Sequence, residues 1–180
     1  ALIDELGLRD LVLVGHSKGG TIAQRVALAR PEALRKLVLL CPVPASGIPL
    51  DDGTAGFFRS LCGPREGMSQ LITLTMGKHH DAALLERLVD SMASVCLESL
   101  LGGFDAFRTA DFGDRIAGIT TPTLVIAGEA DTVTPLALLQ PQVVDKIPGA
   151  TLQLMPGVGH YPQIEIPDEF ARLLFAAVAS

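Results

Sequence analysis

Residues 11–29 read LVLVGHSKGGTIAQRVALA, and this stretch decides the fold. The apolar run Leu11 to Val14 enters Gly15-His16-Ser17-Lys18-Gly19-Gly20, and a helical pattern follows without a break. A continuous Val/Leu run of this kind predicts a strand over 10–15 buried on both faces, as strands of parallel sheets are. From Lys18 the spacing turns helical, with Ile22, Val26 and Ala29 expected along one face and the small Gly19, Gly20 and Ala23 on the side nearest the sheet. Pro31 is expected to end that helix.

Working outward, KLVLLC (36–41) reads as a second buried strand. Upstream, ALIDELGL places Leu2, Ile3 and Leu6 on one helical face and stops at Gly7, a good residue just past a helix end. Downstream, TLVIAG (123–128) and TLQLM (151–155) read as strands, and PLALLQPQVVDKI (135–147) as a helix that contains Pro141, a residue unfavourable to its continuity. Residues 167–179 form an amphipathic helix with Phe170, Leu173, Leu174 and Val178 inward. Strands alternating with helices predict a parallel α/β sheet flanked by helices. The alternation fails only from Pro42 to Thr121, where turns and helical patterns replace strands. The expected organisation is a core of 1–43 and 118–180 with a helical cap of 44–117. Such a cap sits beyond the carboxyl ends of the strands, where α/β sheets bind ligands.

With 180 residues, 48% apolar and 19% charged, the composition is that of one folded domain. A net charge of −6 without a basic stripe excludes a nucleic-acid footprint. No apolar run approaches the roughly 20 residues of a membrane span. Cys41, Cys62 and Cys96 are odd in number and lack metal-ligand spacing, which points to a reduced, cytoplasmic setting.

Gly15-His16-Ser17-Lys18-Gly19 fits the pattern G-x-S-x-G. With Gly and Ser each near ~7% of residues, chance supplies that pattern often, so the strand before it and the helix after it carry the weight. In such a turn the serine is strained, glycine-sized neighbours avoid clashes, and the Lys18 backbone N–H is placed to meet a developing oxyanion. A serine also needs a base, and the base an orienting carboxylate. Glu129 and Asp131 follow the strand 123–128, and His160 follows the strand 151–155. The order serine, acid, histidine is the one that accompanies this turn.

On these residues the chain resembles the α/β-hydrolase superfamily over nearly its whole length, in the branch with a helical cap. The resemblance implies the C-terminal part of an α/β-hydrolase fold, with Ser17 as nucleophile, Asp131 as acid, His160 as general base and the Lys18 N–H as one oxyanion donor. His16, Phe57, Phe58 and Leu61 are expected around the substrate pocket. The family's earlier strands, and the loop that supplies a second oxyanion donor, have no counterpart before ALIDELGL. The chain is therefore expected to be a fragment, its strand edge closed by a second copy or by a complementing N-terminal segment.

Plainer readings stand beside several of these residues. His16 is read as a packing and turn residue ahead of a second base, and Glu129 is held as the substitute acid. The Lys18 ammonium is expected to reach solvent or a carboxylate. His79-His80-Asp81 reads as a solvated surface and Asp51-Asp52-Gly53 as a turn, without metal spacing. Cys41 reads as a buried strand end. Met68, Phe104 and Phe107 join the apolar residues that attach the cap.

The expected activity is hydrolysis of a small carboxylic ester or related acyl compound through an acyl-enzyme, with no cofactor, metal, nucleic acid or membrane. The same triad serves carbon–carbon bond hydrolysis, haloperoxidase-type perhydrolysis, and thioester or lactone cleavage. A ligand-binding protein without turnover, or an inactive fragment, is the alternative of another kind.

Overall fold

The computed structural model describes residues 2–77 and 81–179. Four strands, β1 (Leu11–His16), β2 (Leu34–Leu40), β3 (Thr123–Gly128) and β4 (Thr151–Met155), pair in parallel in the order β1-β2-β3-β4. The helices are α1 (Leu2–Glu5), α2 (Lys18–Ala29), α3 (Asp52–Leu61), α4 (Arg65–Thr75), α5 (Ala82–Ala93), α6 (Leu97–Arg108), α7 (Leu136–Leu139), α8 (Pro162–Glu165) and α9 (Pro167–Ala179). Helices α3 to α6 all fall between β2 and β3, and no strand occurs there among the described residues.

Period-two alternation along β2 separates two cores. Leu37 and Leu39 face one side with Ala23 and Ala27 of α2, Leu139 of α7, and Ile147. Val38 and Leu40 face the other with Ile126, Met155 and Phe170 of α9, against which Leu173 and Leu174 also pack. The sheet is thus covered on both faces, as parallel sheets are. A third cluster of Met68, Ile72, Met76 and Val89 holds α4 and α5 together.

Two expectations need correction. β1 is an edge strand, not one buried on both faces: Val14 is 42% exposed, whereas the side chains of β3 are mostly buried. The apolar run specified a strand, but burial also depends on neighbours, and β1 has one only on the β2 side among the described residues. Helix α2 sets Gly20 and Ala23 against the sheet, as expected, together with Gln24 and Ala27, because small residues are what the close approach to β1 admits, and Ile22 on the other side is 59% exposed. The expected 135–147 helix is α7 followed by a wider turn at Gln140–Val144. Pro141 has no N–H to continue the ladder. Gly7 does end α1, with φ of 60°, but Leu2 and Leu6 are exposed.

Candidate active site

β1 delivers Ser17 into the turn before α2 with φ 51° and ψ −122°. A non-glycine residue there costs about 1–3 kcal/mol and persists only where its surroundings hold it. Here the Ser17 N–H donates to Leu40 O at 3.0 Å, and Ser17 O accepts from Gly20 N at 2.8 Å and Val43 N at 2.9 Å. Space dictates two of the three glycines. A Cβ on Gly15 would lie 2.6 Å from Ala23 Cβ, and one on Gly20 would lie 2.5 Å from Pro42 Cβ. A Cβ on Gly19 would meet nothing within 4 Å, so the second glycine of G-x-S-x-G is not sterically required here.

Ser17 Oγ lies 2.8 Å from His160 Nε2, and His160 Nδ1 lies 2.8 Å from Asp131 Oδ2. The Asp131 and His160 side chains are almost completely buried. Burial pushes the Asp131 carboxyl up, but the hydrogen bond and charge of His160, with donors from Thr134, outweigh it and hold the group below its ordinary range. Its Oδ1 accepts from Val133 N at 2.8 Å and Thr134 N at 3.0 Å, and its Oδ2 from Thr134 Oγ1 at 2.7 Å. An ionised carboxylate only accepts, so the proton between the two sits on Nδ1. That leaves Nε2 to accept from the Ser17 hydroxyl.

Glu129, the substitute acid, is exposed and accepts from Gly157 N at 2.9 Å, bracing the turn after β4. Asp131 alone of the two meets His160. Helix α2 starts at Lys18, whose backbone N–H is among those a helix leaves without an intrahelical acceptor. The Lys18 ammonium rests against α6, where a Cβ on Gly103 would lie 2.2 Å from Nζ. His16 bonds neither Ser17 nor Asp131. Its Nε2 donates to the His160 carbonyl at 2.7 Å, and its ring lies 5.1 Å from that of His160. Burial, then the neighbouring His160, lowers the His16 pKa to about 4, so the ring is neutral.

Cys41, at φ 41°, is fully buried at the end of β2, and its sulfur lies within 4.8 Å of donor atoms of Asp131 and His160. Burial, with the Asp131 charge, pushes its thiol far above the ordinary range. The thiol keeps its proton, and the ring and carboxylate bind one another, so these three do not form a ready metal-ligand set. Asp51 caps α3 by accepting from Thr54 N at 2.9 Å, and Asp81 caps α5 by accepting from Leu84 N at 2.7 Å. His79 and His80 lie outside the described residues.

A cavity of about 190 Å³ opens onto Ser17 and His160. Its apolar walls come from α3, α4 and α6 and the loops around them, through residues such as Leu50, Phe58, Leu71, Phe104 and Phe107, and from Val133 beside the acid. Among the described residues no Lys, Arg, Asp or Glu lines it. Of the expected pocket residues Phe58 lines the cavity; Phe57 is 46% exposed and Leu61 is buried away from it. Sequence reasoning missed Leu71 and Val133, because a helical period marks which face is apolar and not which space it encloses. It also missed Glu165, a buried acid between Ile164 and Ile166, whose one signal is a charge within an apolar stretch.

Residues 1–173 match the profile of the Alpha/beta hydrolase family. A pimeloyl-[acyl-carrier protein] methyl ester esterase of Yersinia pestis is 31% identical over 179 residues, covering 92% of this chain and 68% of that protein. A 2-hydroxy-6-oxononadienedioate/2-hydroxy-6-oxononatrienedioate hydrolase of Cupriavidus pinatubonensis is 28% identical over 196 residues, covering 96% of this chain and 63% of that protein. The structure of a bromoperoxidase from Bacillus anthracis superposes with a TM-score of 0.90 at 21% identity, over 99% of this chain and 71% of that one. No helix among the described residues is long and apolar enough to cross a membrane.

Proposed function

This chain belongs to the alpha/beta hydrolase family, and from that premise we propose that it is a serine hydrolase of small, uncharged carboxylic esters. The observation that carries the reading is the hydrogen-bonded chain Ser17–His160–Asp131, each link 2.8 Å, at the floor of an apolar cavity. In this mechanism Ser17 Oγ attacks the ester carbonyl carbon while His160 Nε2 takes its proton. Asp131 holds the ring in the required tautomer and stabilises the imidazolium. The Lys18 N–H stabilises the oxyanion. His160 then protonates the departing alkoxide, and an acyl-enzyme remains. Water, deprotonated by His160, releases the acid. Residues 44–117 act as the cap that shapes the acyl pocket.

The apolar side chains of Leu50, Phe58, Leu71, Phe104, Phe107 and Val133, with no Lys, Arg, Asp or Glu beside them among the described residues, support an uncharged acyl group over a second carboxylate. At roughly 30 Å³ per water-sized group, the cavity of about 190 Å³ suits an acyl chain of about six heavy atoms. The test is fluorophosphonate labelling beside hydrolysis of a p-nitrophenyl ester series of increasing chain length. Wild type is expected to be labelled at Ser17 and to prefer short to medium chains, with Ser17→Ala and His160→Ala silent in both assays. An unlabelled Ser17 in folded protein would overturn the reading.

A further inference from the structure

The loop that carries His160 is held by a residue the reaction itself does not use. Glu165, in α8, is buried at 7% exposure, and its carboxylate is filled by backbone N–H donors. Gly159 N donates to both oxygens at 3.0 and 3.1 Å, Tyr161 N to Oε1 at 3.1 Å, and Gly77 N to Oε2 at 2.8 Å. The N–H groups on either side of His160 therefore converge on one carboxylate. His160 N itself donates to Thr75 O, at the end of α4, at 2.9 Å.

The two segments tied by this carboxylate pass backbone against backbone. A Cβ on Gly159 would lie 2.1 Å from Gly77 N, and a Cβ on Gly77 would lie 2.6 Å from Gly159 N. Nearby, the Thr132 hydroxyl of the acid loop donates to Leu74 O at 3.1 Å. The C-terminal end of α4 thus touches both the acid loop and the histidine loop, while Leu71 and Thr75 of the same helix line the cavity.

Resting on the serine-hydrolase reading above, we propose that Glu165 is a positioning residue. It fixes the His160 ring between Ser17 and Asp131 by gathering the loop's N–H groups and the end of α4 onto one carboxylate. Glutamine is nearly the same shape but replaces one acceptor oxygen with a donor, which must then face an N–H. The ring should shift while the cavity that binds substrate keeps its lining.

The experiment compares wild type, Glu165→Gln and Glu165→Asp by p-nitrophenyl butyrate kinetics, thermal unfolding, and the low-field proton resonance of His160 Nδ1–H, assigned by its loss in His160→Ala. For folded Glu165→Gln, kcat is expected to fall about 10- to 100-fold with KM within about twofold, and the resonance to shift or broaden. Glu165→Asp, which keeps both acceptors at shorter reach, should lie between, and it carries the test if Glu165→Gln does not fold. Unchanged kcat and an unchanged resonance in a folded variant would overturn the proposal, as would a rise in KM alone. An inactive, unlabelled wild type whose resonance still responds to Glu165→Gln would remove the hydrolase reading and leave the positioning role standing.

Discussion

The turn after β1 and the loop after β4 present side chains to one another across 2.8 Å, yet they are held by different means. The serine turn is set by its own neighbourhood. Gly15 and Gly20 admit the crossing of strand, helix and Pro42, and the strained Ser17 backbone bonds to Leu40, Gly20 and Val43. The histidine loop is held instead by hydrogen bonds to several elements. Its backbone bonds reach Thr75 in α4, Glu165 in α8 and the His16 ring beside the serine. A turn fixed by tight packing breaks with one methyl group. A loop fixed by several separate hydrogen bonds weakens by degrees.

Breaking the serine turn should therefore give the largest effect. Gly15→Ala or Gly20→Ala puts a methyl group against backbone or Pro42, and each is expected to cost about 1–3 kcal/mol or more of stability as well as activity. Gly19→Ala, in open space on α2, should be neutral or stabilising by up to about 1 kcal/mol. Thermal unfolding of the three variants decides it, and equal losses would show that the pattern G-x-S-x-G, not local space, sets the requirement.

The effect at His16 should be intermediate and pH-dependent. Its folded pKa of about 4 lies below the ordinary 6.5, so between those values the unfolded chain binds a proton that the folded chain does not. Its contribution is complete above pH 6.5 and is lost as pH falls toward 4, with stability falling by about 3 kcal/mol across that window. In His16→Phe that part of the slope in denaturant-unfolding curves should vanish. The variant should also lose activity at neutral pH, because the His160 carbonyl has lost its donor. A slope identical to wild type would assign the pH dependence elsewhere.

The smallest effect separates two adjacent rings. Phe58→Ala opens the cavity wall and should raise KM for a butyrate ester several-fold, while Phe57→Ser, outside the cavity, should change stability by less than about 0.5 kcal/mol and leave KM alone. Steady-state kinetics on the pair distinguishes them.

The same contrast explains what the residues disclosed beforehand. Ser17, Asp131 and His160 stand at the carboxyl ends of strands whose periodicity is local, so their meeting could be read from spacing and order. The Glu165 knot joins its near neighbours 159 and 161 to Gly77, which is 88 positions away and arrives through folding back of the chain, and no period marks it. Burial failed for a related reason. LVLVG and TLVIAG look alike, but among the described residues β3 has a strand on each side and β1 on one. In helix α2 the small residues Gly20 and Ala23 marked the side against the sheet, because close approach there admits little else.

The strand order has a mechanical consequence. β1 and β4 are three steps apart in the sheet, roughly 14 Å at about 4.8 Å per step. His160 nonetheless touches Ser17, so its loop overhangs two strands like a cantilever rooted at Met155. A small rotation at the root of such an arm becomes a large displacement at its tip. The contacts from Thr75, His16 and Glu165 act as stays near the loaded end, where the least force resists the most movement.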